Sequence, residues 1–289
     1  MPAGIEPPVE SPRTLADAYS LLADAEPPWR PIAGGTDVMV QITGEIGEPP
    51  ARLIDIWRIN ELHGIARVGE SIVLGALTTY TDIRRSPICR EHLPVLVEAA
   101  ATIGAAQIQN RGTLGGNVAN ASPAGDTLPV LLALDAEIVV GSARGERTVA
   151  AAAFWAAYRQ TAMAPDELVL RVRIPTPPGR EVRFRKIGTR RAQAISKVVL
   201  ALAWSEEAAG SPWRDVRLAL GSVAATPIRG AATEAVLEGA VPTAALADRA
   251  AEALTGELNP IDDVRSTAEY RRAVAARVVR RLIVEAGAR

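Results

Sequence analysis

The chain has 289 residues, enough for two or three modest domains. Its 32 basic and 33 acidic side chains leave a formal net charge of −1, which gives no electrostatic basis for binding nucleic acid or an anionic membrane. A hydrophobic content of 48% supports real cores, and with 4% aromatics aliphatic and alanine side chains must build them; the single cysteine, Cys89, excludes an internal disulfide and an iron–sulfur cluster, which needs about four thiolates.

The stretch Met1–Pro12 lacks the apolar run of a signal peptide. The longest apolar runs, Leu128–Leu134 and Val198–Trp204, are far too short to span a bilayer, so a soluble protein is expected, and the lone cysteine fits a reducing cytoplasm. Ser11-Pro12 reads as an N-cap with proline at the first helical position, followed by Leu15, Ala18, Tyr19 and Leu22 at helical spacing; Pro27-Pro28 stops that helix. Trp29–Ala33 reads as a short buried strand, Asp37–Ile42 as a short helix and Arg52–Ile56 as a second strand. A second unit begins near Glu61, with a hairpin of Gly64–Val68 and Ile72–Leu74 around Gly69-Glu70. Helices are predicted over Thr79–Arg85 and Glu91–Ile103 and from Asp126. Ala136–Val140, Glu146–Val149 and Leu168–Ile174 read as strands, and Thr176-Pro177-Pro178-Gly179 is the clearest linker. Beyond it, strands at Val182–Ile187, Ala194–Trp204 and Val216–Val223 precede helices at Pro227–Leu237, Pro242–Leu254 and Ser266–Ala286, a sheet-then-helix order of α+β type. The division expected is therefore residues 1–60, 61–177 and 178–289.

Two glycine pairs stand out: Ala33-Gly34-Gly35-Thr36-Asp37 and Thr113-Leu114-Gly115-Gly116-Asn117. Glycine reaches φ > 0, and successive N–H groups in such a turn form a concave nest for an anion. Two nests far apart in sequence suit a pyrophosphate held from both sides, hence a dinucleotide. Neither pair continues as G-x-G-x-x-G, and the chain has no Gly-Lys pair, which disfavours NAD on a Rossmann unit and ATP on a P-loop.

These segments resemble the FAD-binding medium subunit of molybdenum hydroxylases, a family that includes the carbon monoxide dehydrogenase medium subunit and the flavin segment of xanthine dehydrogenase. Both glycine motifs match, as do Ala121-Ser122-Pro123-Ala124-Gly125-Asp126-Thr127-Leu128-Pro129, Phe184-Arg185-Lys186-Ile187 with Arg190-Arg191 and Ala194-Ile195, and Leu220-Gly221-Ser222-Val223-Ala224 with Pro227-Ile228-Arg229. The resemblance covers the whole chain. It implies an α+β fold: a two-part FAD-binding domain of the PCMH (vanillyl-alcohol oxidase-like) type, then an α+β C-terminal domain of antiparallel sheet and helices. It implies flavin contacts at Ile32, Ala33, Gly34, Gly35, Thr36, Asp37 and Val38, and at Thr113, Leu114, Gly115, Gly116, Asn117 and Asp126. Ile103 and Val169 follow as apolar contacts, and Lys186 as a cation near the flavin. The N–H groups of Gly34–Thr36 would face one phosphate and those of Gly115–Asn117 the other, with Asp126 accepting from a ribityl or ribose hydroxyl.

The family assigns FAD to this chain, a molybdopterin cofactor to a large subunit and two [2Fe–2S] clusters to a small subunit. It commonly forms a dimer of heterotrimers that passes electrons through FAD to an external acceptor: quinone, NAD, oxygen or another carrier. Taken alone, several of the same residues have plainer readings: Asp37 and Asp126 as helix N-caps, Ile103 and Val169 as core, Lys186 as a solvated strand residue. Cys89 with His92 is too small a set for a metal, and the arginines of 271–281 read as the exposed face of an amphipathic helix. The functional alternatives are a self-contained flavin oxidase or reductase of the same FAD-binding fold and a scaffold that binds no nucleotide.

Overall fold

A computed structural model of the chain describes residues 7–23, 28–43, 49–190 and 193–288. Within it the strand Val198–Ser205 is the shared wall of two hydrophobic cores. Side chains alternate across a strand, so Val199, Ala201 and Ala203 enter one core while Val198, Leu200, Leu202 and Trp204 enter the other. Double-sided burial explains why this run is continuously apolar rather than alternating. The strand pairs antiparallel with Arg180–Ile187 on one side and Arg214–Gly221 on the other, and Ile228–Arg229 completes the sheet. The helices Ala231–Leu237, Ala244–Glu257 and Ala268–Gly287 contribute Leu237, Leu254 and Ile283 to the second core.

The first core lies under the N-terminal elements. A parallel three-stranded sheet has Leu53–Asp55 between Val9–Glu10 and Arg30–Ile32. A five-stranded antiparallel sheet follows in the order Ile65–Val68, Ser71–Gly75, Leu168–Pro175, Glu137–Ser142, Gly145–Ala150. Its long central strand arrives last in sequence. The helical region between the second and third of these strands in sequence includes Leu114–Asn120 and Leu128–Ala133, and the latter packs against the C-terminal sheet. Asp135, just past that helix, takes ion pairs from Arg180, Arg217 and Arg229 across the seam between the two cores at 3.2–3.5 Å.

Several boundaries differ from the sequence reading. The first helix is Leu15–Ala23, and Thr14, not Ser11, takes the Asp17 N–H. The helix expected over Glu91–Ile103 is two, Pro87–His92 and Pro94–Ala101, because Pro94 cannot donate into a continuing ladder. Residues Ala194–Lys197 precede the strand rather than belonging to it, and Ile228–Arg229 forms an edge strand instead of opening the next helix. Arg271 is not on an exposed face: it is 4% exposed and donates to the carbonyls of Lys197 and Ser222 and to Asp263. Pro27 and Arg191 lie outside the described residues. Among the described residues no helix is long and apolar enough to cross a membrane, and no cluster of three or more metal-ligating side chains occurs.

Candidate cofactor-binding site

A cleft opens between the two glycine segments. Ala33–Val38 form one wall; Thr113, Gly115, Gly116 and Asn117 form the other; Val169 of the central strand contributes to the lining. The fold brings the first segment here by way of the strand Arg30–Ile32, which is hydrogen-bonded to the buried Leu53–Asp55.

The first segment has the left-handed glycine that a nest requires. Gly35 has φ +78°, in the left-handed region, and no N–H of Gly34, Gly35 or Thr36 donates to a group among the described residues. Gly34 is needed for a different reason. A Cβ there would lie 1.7 Å from the carbonyl oxygen of Arg111, so only glycine lets this loop approach the other wall. The Arg111 guanidinium lies over the Trp57 ring at 3.9 Å and secures that contact.

The second segment is not a second nest. Thr113 is extended and caps the helix Leu114–Asn120, so the glycines sit in its first turn. The N–H of Gly115 donates to Ala76 O at 2.9 Å, that of Gly116 to Thr113 Oγ1 at 3.0 Å and that of Asn117 to Thr113 O at 3.0 Å. A Gly-Gly pair after an extended threonine serves an N-cap as readily as a turn, and sequence alone did not separate the two. What this wall offers is smoothness and close packing: a Cβ on Gly115 would meet Ala76 at 2.6 Å. Asn117 is positioned by Thr127, whose hydroxyl donates to its side-chain oxygen at 2.6 Å.

Not every predicted residue reaches the cleft. Leu114 is fully buried in the core, and Ile32 lies behind Gly35, its Cδ1 3.5 Å from the place of a Cβ there. Ile103 is half-buried, its N–H donating to Ala100 and its carbonyl accepting from Gln109. Asp126 and Lys186 lie outside the lining and bond to each other: Lys186 Nζ donates to Asp126 Oδ2 at 2.5 Å and to Thr102 O at 3.0 Å, and Ser196 donates to the other carboxylate oxygen. Both side chains are about nine-tenths buried. Burial pushes the Asp126 carboxyl above its ordinary value, against the opposing pull of Lys186 and Ser196. Asp126 is thus not a helix cap; Thr127 holds that place without a side-chain bond. Asp37 does hold the N-cap position of the helix Val38–Ile42, but without a side-chain cap bond; its carboxylate accepts from Asn120 at 2.9 Å.

Relatives share this architecture. Residues 5–177 match the family described as "FAD binding domain in molybdopterin dehydrogenase", and residues 183–286 match "CO dehydrogenase flavoprotein C-terminal domain". The carbon monoxide dehydrogenase medium chain of Hydrogenophaga pseudoflava is 32% identical over 284 residues, 96% of each chain. The chain belongs to the FAD-binding medium subunits of the molybdenum hydroxylases. A solved carbon monoxide dehydrogenase from the same organism superposes with a TM-score of 0.92 at 31% identity, covering 96% of both chains. The quinoline 2-oxidoreductase of Pseudomonas putida 86 gives a TM-score of 0.91 at 26% identity, covering 99% of this chain and 98% of that one.

The cleft of this medium subunit suits a flavin dinucleotide in its donor set: three N–H groups in one turn that donate to nothing among the described residues, a smooth glycine wall opposite, and a loop–loop contact too close for any side chain. Of the lining residues that the sequence reading did not name, three carry polar side chains. Tyr80 is buried beside Gly112, and burial raises its phenol well above the ordinary value, so it stays protonated. Glu167, 6% exposed, accepts both guanidinium bonds of Arg147 at 2.7 Å. Asn120 ends the second helix and faces Asp37. The first two have no motif; only the fold places them at the cleft.

Proposed function

We propose that this medium subunit carries electrons between a [2Fe–2S] cluster on a separate small subunit and an external acceptor such as a quinone, NAD or oxygen. Substrate oxidation then belongs to a molybdopterin large subunit, in a cytoplasmic dimer of heterotrimers. The bound FAD supplies the chemistry of accepting and passing on electrons; the chain supplies binding, orientation and electrostatics. The observation that carries this reading is the cleft itself, whose lining offers backbone donors, the bonded side chains of Asp37, Asn117, Asn120 and Glu167, and a Tyr80 phenol that burial keeps protonated. The sole cysteine is buried, which leaves the clusters to a partner.

In this proposal Ala33–Val38 hold the pyrophosphate through the N–H groups of Gly34–Thr36. Thr113–Asn117 form the facing wall, with Leu114 as its core anchor. Val169 supplies apolar contact in the lining, while Ile32 and Ile103 act from behind it. Asp126 and Lys186 border the site through the Thr127–Asn117 bond and set the charge near the flavin. The divisions 1–60, 61–177 and 178–289 act as the two flavin-binding parts and the C-terminal domain. Purification of the native complex tests the proposal: molybdenum, iron and FAD in the ratio of one cofactor, four irons and one flavin per medium chain are expected. A chain that purifies alone and turns over a small alcohol or enone by itself would establish the self-contained oxidoreductase instead.

A further inference from the structure

The two walls of the cleft are tied together at the solvent edge by a pair of side-chain bonds that the electron-transfer reading does not use. Asp37 comes from the first glycine segment and is exposed; Asn120 comes from the end of the helix that carries the second, and both line the cleft. The Asn120 amide nitrogen donates to Asp37 Oδ1 at 2.9 Å, a bond between residues 83 apart in sequence. The same amide is held from its other side: its oxygen accepts from the Arg159 guanidinium at 3.1 Å. A carboxylate only accepts and a guanidinium only donates, so the pair fixes which way the Asn120 amide faces.

Arg159 is placed for this task at some conformational cost. It sits at the tip of the hairpin formed by Trp155–Ala157 and Gln160–Thr161 with φ +54°, a region that disfavours any residue with a Cβ. The base of the hairpin is fastened to the helix of Asn120, because Trp155 Nε1 donates to Val118 O at 3.1 Å. Hairpin and second glycine helix therefore form one jaw, and the first glycine loop forms the other. Gly34 meets the backbone of Arg111, in the segment that leads into that helix, and the Asp37–Asn120 bond joins the two walls as well.

We propose that Asn120 and Arg159 form a clasp that retains the flavin dinucleotide: the cofactor enters or leaves when the Asp37–Asn120 bond opens, and Arg159, a positioning residue, sets how readily it opens. This rests on the reading that the cleft holds FAD. The clasp predicts that Arg159 and Asn120 act as one unit in cofactor release. The test uses the full chain loaded with FAD and follows the rise in flavin fluorescence after rapid dilution. Arg159→Ala and Asn120→Ala each speed release on the order of 3- to 10-fold, the size of one ordinary solvent-exposed hydrogen bond. The double variant is no faster than the faster single one, the non-additivity of residues in one network. Arg159→Lys, which keeps a cationic donor, recovers most of the slow release, and apo-protein melting is the same for all. Release rates within twofold of wild type, or a double variant equal to the product of the singles, would overturn the clasp while FAD binding stands. A wild-type chain that takes up no FAD overturns the cofactor reading and the clasp together.

Discussion

Substituting the two glycines of the first loop separates steric from conformational demands in the cleft. In Gly34→Ala the new Cβ lies 1.7 Å from Arg111 O and 2.4 Å from Arg111 C, where ordinary contact begins at 3.4 Å. Both obstacles are backbone, so the loop must retreat by more than an ångström and carries its N–H groups with it. Losing two hydrogen bonds to a charged phosphate, each about 1.5–3 kcal/mol, weakens FAD binding by about 10²–10⁴-fold. In Gly35→Ala nothing is closer than 3.5 Å, and the cost is the left-handed φ, about 1–2 kcal/mol, or about tenfold. Titration of each apo-chain with FAD, read by flavin fluorescence quenching, gives the two constants, and apo-protein melting separates loss of fold from loss of binding. A Gly34→Ala chain that folds and binds FAD within threefold of wild type, or one less impaired than Gly35→Ala, would refute the two-walled grip.

Asp126→Ala leaves Lys186 buried without its carboxylate and should destabilise the chain by about 3–5 kcal/mol in denaturant unfolding. Neutralising one member or the other shifts the flavin potential in opposite senses: Lys186→Ala leaves a carboxylate without its cation and lowers the midpoint, Asp126→Asn leaves a cation and raises it, with about 30 mV for every 1.4 kcal/mol. An unchanged midpoint in both variants removes the pair from the flavin's electrostatics. The hydrogen bonds from Arg147 hold the Glu167 carboxyl below its ordinary value, so its stabilisation is present above about pH 4.3 and is lost as pH falls through the lowered value. Glu167→Gln should therefore cost about 1.5–3 kcal/mol at neutral pH and nothing in strong acid; a pH-independent difference counts against that pairing.

The elements were legible in the sequence wherever one periodicity dominated. The strands Ser71–Gly75, Leu168–Pro175 and Arg214–Gly221 and the long C-terminal helices fall where apolar spacing predicts. Short elements were legible next to the first glycine pair, at Arg30–Ile32, Val38–Ile42 and Leu53–Asp55, but not elsewhere: a four-residue helix such as Ala106–Gln109 or the Trp155–Thr161 hairpin carries too little pattern to read. The first glycine loop was legible because its left-handed φ has a chemical signature. The second was mistaken in kind, since small residues after an extended threonine serve a cap and a turn alike. The partners of Asp126, Arg271 and Asn120 lie 60, 49 and 83 residues away, and no local rule reaches that far. Arg271 shows the limit most plainly: the other arginines of its helix are wholly or partly exposed, and its bonds to Asp263, Lys197 and Ser222 make it a buried donor.

The central claim is that one FAD sits between the two glycine segments of this chain. Reconstituting the purified apo-chain with FAD and recording the visible spectrum after removal of free flavin tests it most directly. The account predicts one flavin per chain with a perturbed absorption band, abolished in Gly34→Ala under the same conditions. A colourless wild-type chain, or a Gly34→Ala chain that retains a full equivalent of flavin, would contradict it.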